Sequence, residues 1–67
     1  MRPNLTARQV DVLRRLAEGH TNDGIAESLS IAPDTVRSHL QRIFAKLRVH
    51  RRADAVAEGR RRGLIDT

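Results

Sequence analysis

The side chains with the most chemistry to offer lie in one stretch, residues 33–47. Arg37 carries a planar guanidinium that can give two parallel hydrogen bonds to O6 and N7 of guanine. Gln41 carries an amide that can pair with N6 and N7 of adenine. The two stand four residues apart, one helical turn, so on a helix both project from the same side. At about 100° per residue, the apolar residues Val36, Leu40, Ile43, Phe44 and Leu47 gather on one arc. Opposite them lie Asp34, Ser38, Gln41, Arg42 and Ala45. Arg37 and Arg48 sit on one flank, and Thr35, His39 and Lys46 on the other. The centre of the polar face is small (Ser38, Ala45), which is what a helix needs to approach base edges closely. An ordinary solvated face would also be polar and charged, so this face taken alone leaves both readings open.

Other chemistries find little to work with. The chain has no Cys, which removes disulfides, thiolate zinc sites and cysteine nucleophiles together. His20, His39 and His50 lack ligand spacing and acidic partners, so neither a metal site nor a cofactor is expected. No nucleophile–base pair, glycine-rich phosphate loop or carboxylate pair is present, which argues against an enzyme. Asp34 reads as a first-turn acid favoured by the helix dipole rather than as a reader of cytosine. There is no long apolar run to cross a membrane. Residues 1–4 show no signal-peptide pattern, so an intracellular location is expected.

Charge favours a polyanionic partner. The 67 residues carry a formal charge of +5, and 12 of the 13 basic residues are Arg. Residues 1–35 hold four Arg against five acids, a net of −1, while residues 36–67 hold eight Arg and Lys46 against three acids, a net of +6. A basic half of this kind suits nucleic acid or an anionic surface, and guanidinium groups suit bidentate contact with phosphate or guanine. Arg60-Arg61-Arg62 is too short to be a tail and reads as a solvated helix end that can also reach phosphate.

The elements that must position these groups are four helices. A chain of 67 residues is one small domain with a marginal core. With one aromatic residue, Phe44, its core must be Leu, Ile, Val and Ala, which suits packed helices better than a sheet. Thr6-Ala7-Arg8-Gln9 fits a capping box, with Leu5 and Val10 at the staple positions around it. Val12, Leu13, Leu16 and Ala17 continue a helical stripe that Gly19 ends, giving a helix over about 7–18. Thr21 or Asn22 caps a second helix over 22–29, with Ile25, Ala26 and Leu29 on its buried edge. After the turn Ser30-Ile31-Ala32, Pro33 sits at a first helical position and opens the helix over 33–47. A fourth helix is expected over about 52–62, with Ala53, Val56 and Ala57 on one face.

Two helices joined by a three-residue turn, the second long and amphipathic, form a helix-turn-helix. The second helix of that motif enters the major groove while the first crosses the backbone. The fold class is therefore all-α: a tri-helical core holding a central helix-turn-helix, plus a C-terminal helix.

The chain also resembles a known family. Leu5-Thr6-x-Arg8, Val12-Leu13-x-x-Leu16-Ala17-x-Gly19, Asn22-x-x-Ile25-Ala26-x-x-Leu29-x-Ile31, Thr35-Val36-Arg37-x-His39-Leu40 and Ile43-x-x-Lys46-Leu47 are similar to the LuxR/GerE-type DNA-binding domain. That domain closes many bacterial transcription regulators, NarL-type response regulators among them. The likeness runs on through Val49, Arg52, Asp54, Ala55, Val56 and Gly63-Leu64, and covers residues 5–65. It implies a cytoplasmic, sequence-specific binder of double-stranded promoter DNA, acting as a homodimer with RNA polymerase as a further partner. It implies that Arg37, Ser38 and Gln41 face bases and that Asn22, Thr35, His39, Arg42 and Lys46 meet phosphate or support those that do. It also implies a dimer face on the fourth helix, although Ala53, Val56 and Ala57 read from the pattern alone as packing on the first.

The chain departs from the family pattern in places that bear on structure. Gln9 stands where Glu is usual, Ala32 where Ser would cap the third helix, and Arg51 at the cap of the fourth. Arg48 replaces a common Gly, which sets a left-handed turn after the third helix in question, and Gly59 is expected to loosen the fourth. Two other functions share some of these features. One is a sigma-factor region 4-like promoter reader, whose helix-turn-helix also ends in a Lys-Leu-Arg sequence. The other is a protein-interaction module that has kept the fold and lost DNA binding.

Overall fold

The structure, a computed structural model, describes residues 5–65; residues 1–4, and with them the reading of the leader segment, lie outside the described residues, as do 66–67. Four helices and no strand occur among the described residues: α1 Ala7–Ala17, α2 Asn22–Leu29, α3 Pro33–Leu47 and α4 Arg52–Arg61. The expected boundaries hold to within one residue.

Each helix starts where its local chemistry allows. The Thr6 hydroxyl accepts from Gln9 N–H at 3.1 Å, and Thr6 N–H donates to Gln9 Oε1 at 3.0 Å, so the capping box is closed on both sides. Thr21, rather than Asn22, caps α2 by accepting from Gly24 N–H at 3.0 Å. Ala32 and Arg51 take the extended cap backbone of α3 and α4 without a side-chain capping bond. There α3 relies on Pro33 at its start, which needs no N–H partner.

All four helices end alike. The N–H five residues on bonds back to Arg15 O (3.2 Å), Ala26 O (3.0 Å), Phe44 O (3.0 Å) and Gly59 O (2.8 Å), the pattern of a left-handed closing turn. The left-handed residue is Gly19 after α1 and Gly63 after α4, but Ser30 (φ 57°) after α2 and Arg48 (φ 59°) after α3. The left-handed turn that Arg48 set in question is thus present. Leu47 before Arg48 is buried and Val49 after it packs half-buried against the core, which holds the geometry against a side chain that disfavours it.

The core draws on every helix: Val12, Leu13 and Leu16 of α1, Ile25 and Ala26 of α2, Val36, Leu40, Ile43 and Leu47 of α3, and Ala55 of α4, closed by Ile65. Leu5, Leu29, Ile31, Phe44, Val49, Val56 and Leu64 pack partly buried around it. Phe44 is therefore a margin residue rather than a central one.

Helix α4 corrects the sequence reading. Ala53 and Ala57 are exposed and Val56 is half-buried, so these three do not form the face against α1. That face is Ala55 and Gly59, both buried. A Cβ built at Gly59 would lie 2.9 Å from Leu13 Cδ2 and 3.3 Å from two carbons of Ile65. Gly59 does not loosen α4; it lets the helix lie close to the core, and hydropathy patterning overlooks it because glycine carries no apolar signature.

Candidate nucleic-acid interface

Along α3 the division of labour is sharp. Val36, Leu40, Ile43 and Leu47 are buried, while Asp34, Thr35, Arg37, Ser38, Gln41, Arg42 and Ala45 are exposed. The helix is held on one side by its aliphatic arc and by packing with α2, α1 and α4. Its opposite side, fifteen residues long, is free to meet another surface. A fifteen-residue helix is about 22 Å long at 1.5 Å per residue, and a major groove about 12 Å wide admits it.

The structure brings Arg37, Ser38 and Gln41 onto this one exposed face. Arg37 is not idle: its Nη1 donates to Asp34 Oδ1 at 3.1 Å, one turn earlier. Arg42 is exposed next to Gln41. Arg48 is also exposed at the end of the helix.

The remaining predicted residues divide into exposed and internally engaged. Thr35 is exposed beside the helix start. His39 is half-buried, and its Nδ1 is buried without a hydrogen-bond partner among the described residues. Lys46 is half-buried and its Nζ donates to Gln9 Oε1 at 2.9 Å. Gln9 is only 4% exposed and so joins the start of α1 to the end of α3 through one amide oxygen. Lys46 thus ties the end of α3 to the start of α1. Asn22 is likewise engaged, its Oδ1 accepting from Arg52 Nη1 at 2.9 Å.

Three such ties join distant parts of the chain, and the pattern reading found none of them. Arg52 reaches both Asn22 Oδ1 and His20 O, at 2.9 Å each, pinning the start of α4 to the α1–α2 link. Arg15 Nε donates to Ser28 Oγ at 2.9 Å, tying α1 to the far end of α2. Together with Lys46–Gln9 these cross gaps of 30, 13 and 37 residues. Local periodicity carries no sign of such pairs; the occurrence of Arg52 and Lys46 in the family pattern was the one available signal.

Two of the three arginines in the basic run at the end of α4 share one internal acid, Glu58. Arg61 grips Glu58 through two bonds of 2.6 and 2.7 Å, and Arg62 Nε adds a third at 2.8 Å. Hydrogen bonds from Arg61 and then Arg62 lower the Glu58 carboxyl to about 2. Arg60 alone of the three is turned outward without an acid partner among the described residues. No group of His and acidic side chains able to hold a metal ion occurs among the described residues. None of the helices described is long and apolar enough to cross a membrane.

Comparison with known proteins agrees with this geometry. Residues 3–58 match the family "Bacterial regulatory proteins, luxR family". The chain is 48% identical over 64 residues to a probable transcriptional regulatory protein, NarL, of Mycobacterium tuberculosis, covering 96% of this chain and 30% of that protein. It is 46% identical over 61 residues to the HTH-type transcriptional regulator AlkS of Alcanivorax borkumensis, covering 91% of this chain and 7% of the relative. The chain thus spans a third or less of these curated relatives. Among solved structures, the response regulator ChrA of a heme-sensing two-component system superposes with a TM-score of 0.92 at 37% identity, over 97% of this chain and 32% of that one. The transcription factor GerE superposes with a TM-score of 0.88 at 31% identity, over 92% of each chain.

Proposed function

The chain belongs to the luxR family of bacterial regulatory proteins and is a helix-turn-helix DNA-binding domain of that family; from that premise we propose that it reads a promoter sequence as a dimer on two half-sites. In this reading α3 lies in the major groove. Arg37, Ser38 and Gln41 address base edges, Thr35, Arg42 and Arg48 meet phosphate, and Asn22, His39 and Lys46 hold the reader in place. The exposed side of α4, Ala53 and Ala57 with half-buried Val56 beside them, is the surface for the second copy. Two copies would then read half-sites about one helical turn, roughly 34 Å, apart. The domain acts without catalysis, in the bacterial cytoplasm, with RNA polymerase as a downstream partner.

One observation carries the reading. The polar side of α3 is exposed along its length, and four of the five residues of its apolar arc are buried in the core. A surface that is small at its centre and carries guanidinium and amide groups one turn apart matches the edge chemistry of a base pair.

A salt titration with mixed-sequence duplex DNA tests the binding class. A DNA reader loses affinity steeply with salt as counterions are released, whereas a protein-interaction module leaves the duplex unbound at every salt concentration. Selection from a randomised duplex pool then reports site, symmetry and spacing together; a single unrepeated half-site would overturn the dimer. Replacing Gln41 by Ala is expected to relax preference at one base position at a cost of about 1–3 kcal/mol. Unchanged preference across the pool would remove Gln41 from the readers.

A further inference from the structure

Asp34 is the only acid on α3, and it stands at the end of the helix meant to enter the groove. Its side chain is 89% exposed. A bare carboxylate there would repel the phosphates on both walls of the groove. Its value as a first-turn acid, worth a few tenths of a kcal/mol to about 1, does not require the position nearest Arg37. The geometry shows a second engagement. Asp34 Oδ1 accepts from Arg37 Nη1 at 3.1 Å, one turn along the same face, with the Arg37 side chain still 63% exposed.

Taking the proposed DNA reading as its basis, we propose that Asp34 is a positioning residue that sets specificity: it holds the Arg37 guanidinium so that its remaining edge presents two parallel donors to one guanine. The guanidinium has five N–H donors in a fixed fork. The bond to Asp34 occupies one Nη1 hydrogen and leaves the Nε and Nη2 hydrogens for O6 and N7. Without Asp34 the long Arg side chain samples several rotamers, and its nearest attractive targets are phosphates, which carry no sequence information. In solvent such an exposed pair is worth little. Against DNA water is excluded, and the carboxylate then makes the phosphate-directed rotamers costly and the guanine-directed one favourable. Asp34 therefore gives up general affinity for selectivity.

This has an outcome that charge counting and helix stability alone do not produce. Selection from a randomised duplex pool first defines a preferred site, and the base whose preference vanishes in Arg37→Ala identifies the guanine. Binding is then measured by fluorescence anisotropy to that site, to the same site with the guanine replaced, and to mixed-sequence duplex. Asp34→Ala and the nearly isosteric Asp34→Asn are expected to tighten mixed-sequence binding about threefold, because one screened like charge is lost. Both are expected to lower discrimination for the guanine about tenfold, within the range of one bidentate pair. In the Arg37→Ala background, Asp34→Ala should leave discrimination unchanged. Circular dichroism of each variant confirms that the helices persist. Discrimination kept by both Asp34 variants in the Arg37 background overturns the positioning role while leaving the DNA reading intact. Salt-independent or absent binding by the unaltered chain overturns the DNA reading and this inference together.

Discussion

Gly59→Ala sets two effects of opposite sign against each other. In a helix interior the added methyl removes the conformational cost of glycine and stabilises by roughly 0.5–1 kcal/mol. In this structure the same methyl arrives 2.9 Å from Leu13 Cδ2 and 3.3 Å from Ile65 Cδ1 and Cγ1. Ordinary contact between carbons is about 3.5–4.0 Å, so Leu13 must retreat by more than half an ångström. Leu13 is fully buried and Ile65 is 5% exposed, and overpacking such a site costs about 1–3 kcal/mol. The steric effect wins, with a net loss of about 1 kcal/mol, or roughly 4–8 °C in Tm for a domain of this size. Urea denaturation followed by circular dichroism measures it. In a Leu13→Val background, where the offending methyl is gone, Gly59→Ala should instead stabilise, a coupling expected of residues in contact. A more stable Gly59→Ala in the unaltered background would refute the close approach of α4 and restore the view that Gly59 only loosens its helix.

The other predictions follow from single features. Ala32→Ser should stabilise by about 1 kcal/mol, because Ala32 already has the extended cap backbone and is exposed and lacks only the side-chain oxygen; thermal melts check it, and no gain would mean that the start of α3 is already satisfied. Arg48→Gly should relieve part of the roughly 1–2 kcal/mol that a left-handed side chain costs, raising Tm, while the salt slope of DNA binding flattens by about one; an unchanged slope would take Arg48 off the phosphates. Glu58→Gln bears on acid stability. The folded carboxyl is lowered to about 2 from 4.5 by the Arg61 and Arg62 bonds, so it contributes stability that is present above the higher value and lost as pH falls through the lower one. Stability measured from pH 5 down to pH 2 should therefore fall less steeply in Glu58→Gln, and parallel curves would show that the clamp does not persist in solution.

Much of the fold was legible because it is written in local signals. Thr6 with Gln9, Thr21, Pro33 and Gly19 each fix a helix end within a few residues of themselves. The aliphatic arc of residues 36–47 fixes which side of α3 is buried, and so which side is offered to a partner. What escaped is what depends on distance in the chain or on the absence of a side chain. The core face of α4 was assigned to Ala53, Val56 and Ala57 because a pattern can weigh only the atoms that are there. The true contact at Gly59 is made by a missing Cβ. The ties of Arg52 to His20 O and Asn22 and of Lys46 to Gln9 span gaps that no helical period can register.

Those ties also explain how so small a domain can leave one whole face of a helix unburied. A 67-residue chain has little apolar area to spare, and α3 commits its four buried residues to the core. If orientation of α3 rested on that arc alone, the helix could roll, since aliphatic contact has no direction. Hydrogen bonds do have direction. The Lys46–Gln9 bond fixes the C-terminal end of α3 against α1, and the turn from Ser30 to Ala32, closed by Ile31 N–H on Ala26 O at 3.0 Å, fixes its N-terminal end against α2. Arg52 then locks α4 to the same α1–α2 link. The exposed face of α3 is thus held at both ends by groups that lie off it, and its own polar residues are left for whatever surface it meets. The proposed base reading needs that separation, because a side chain spent on holding the helix cannot also distinguish one base from another.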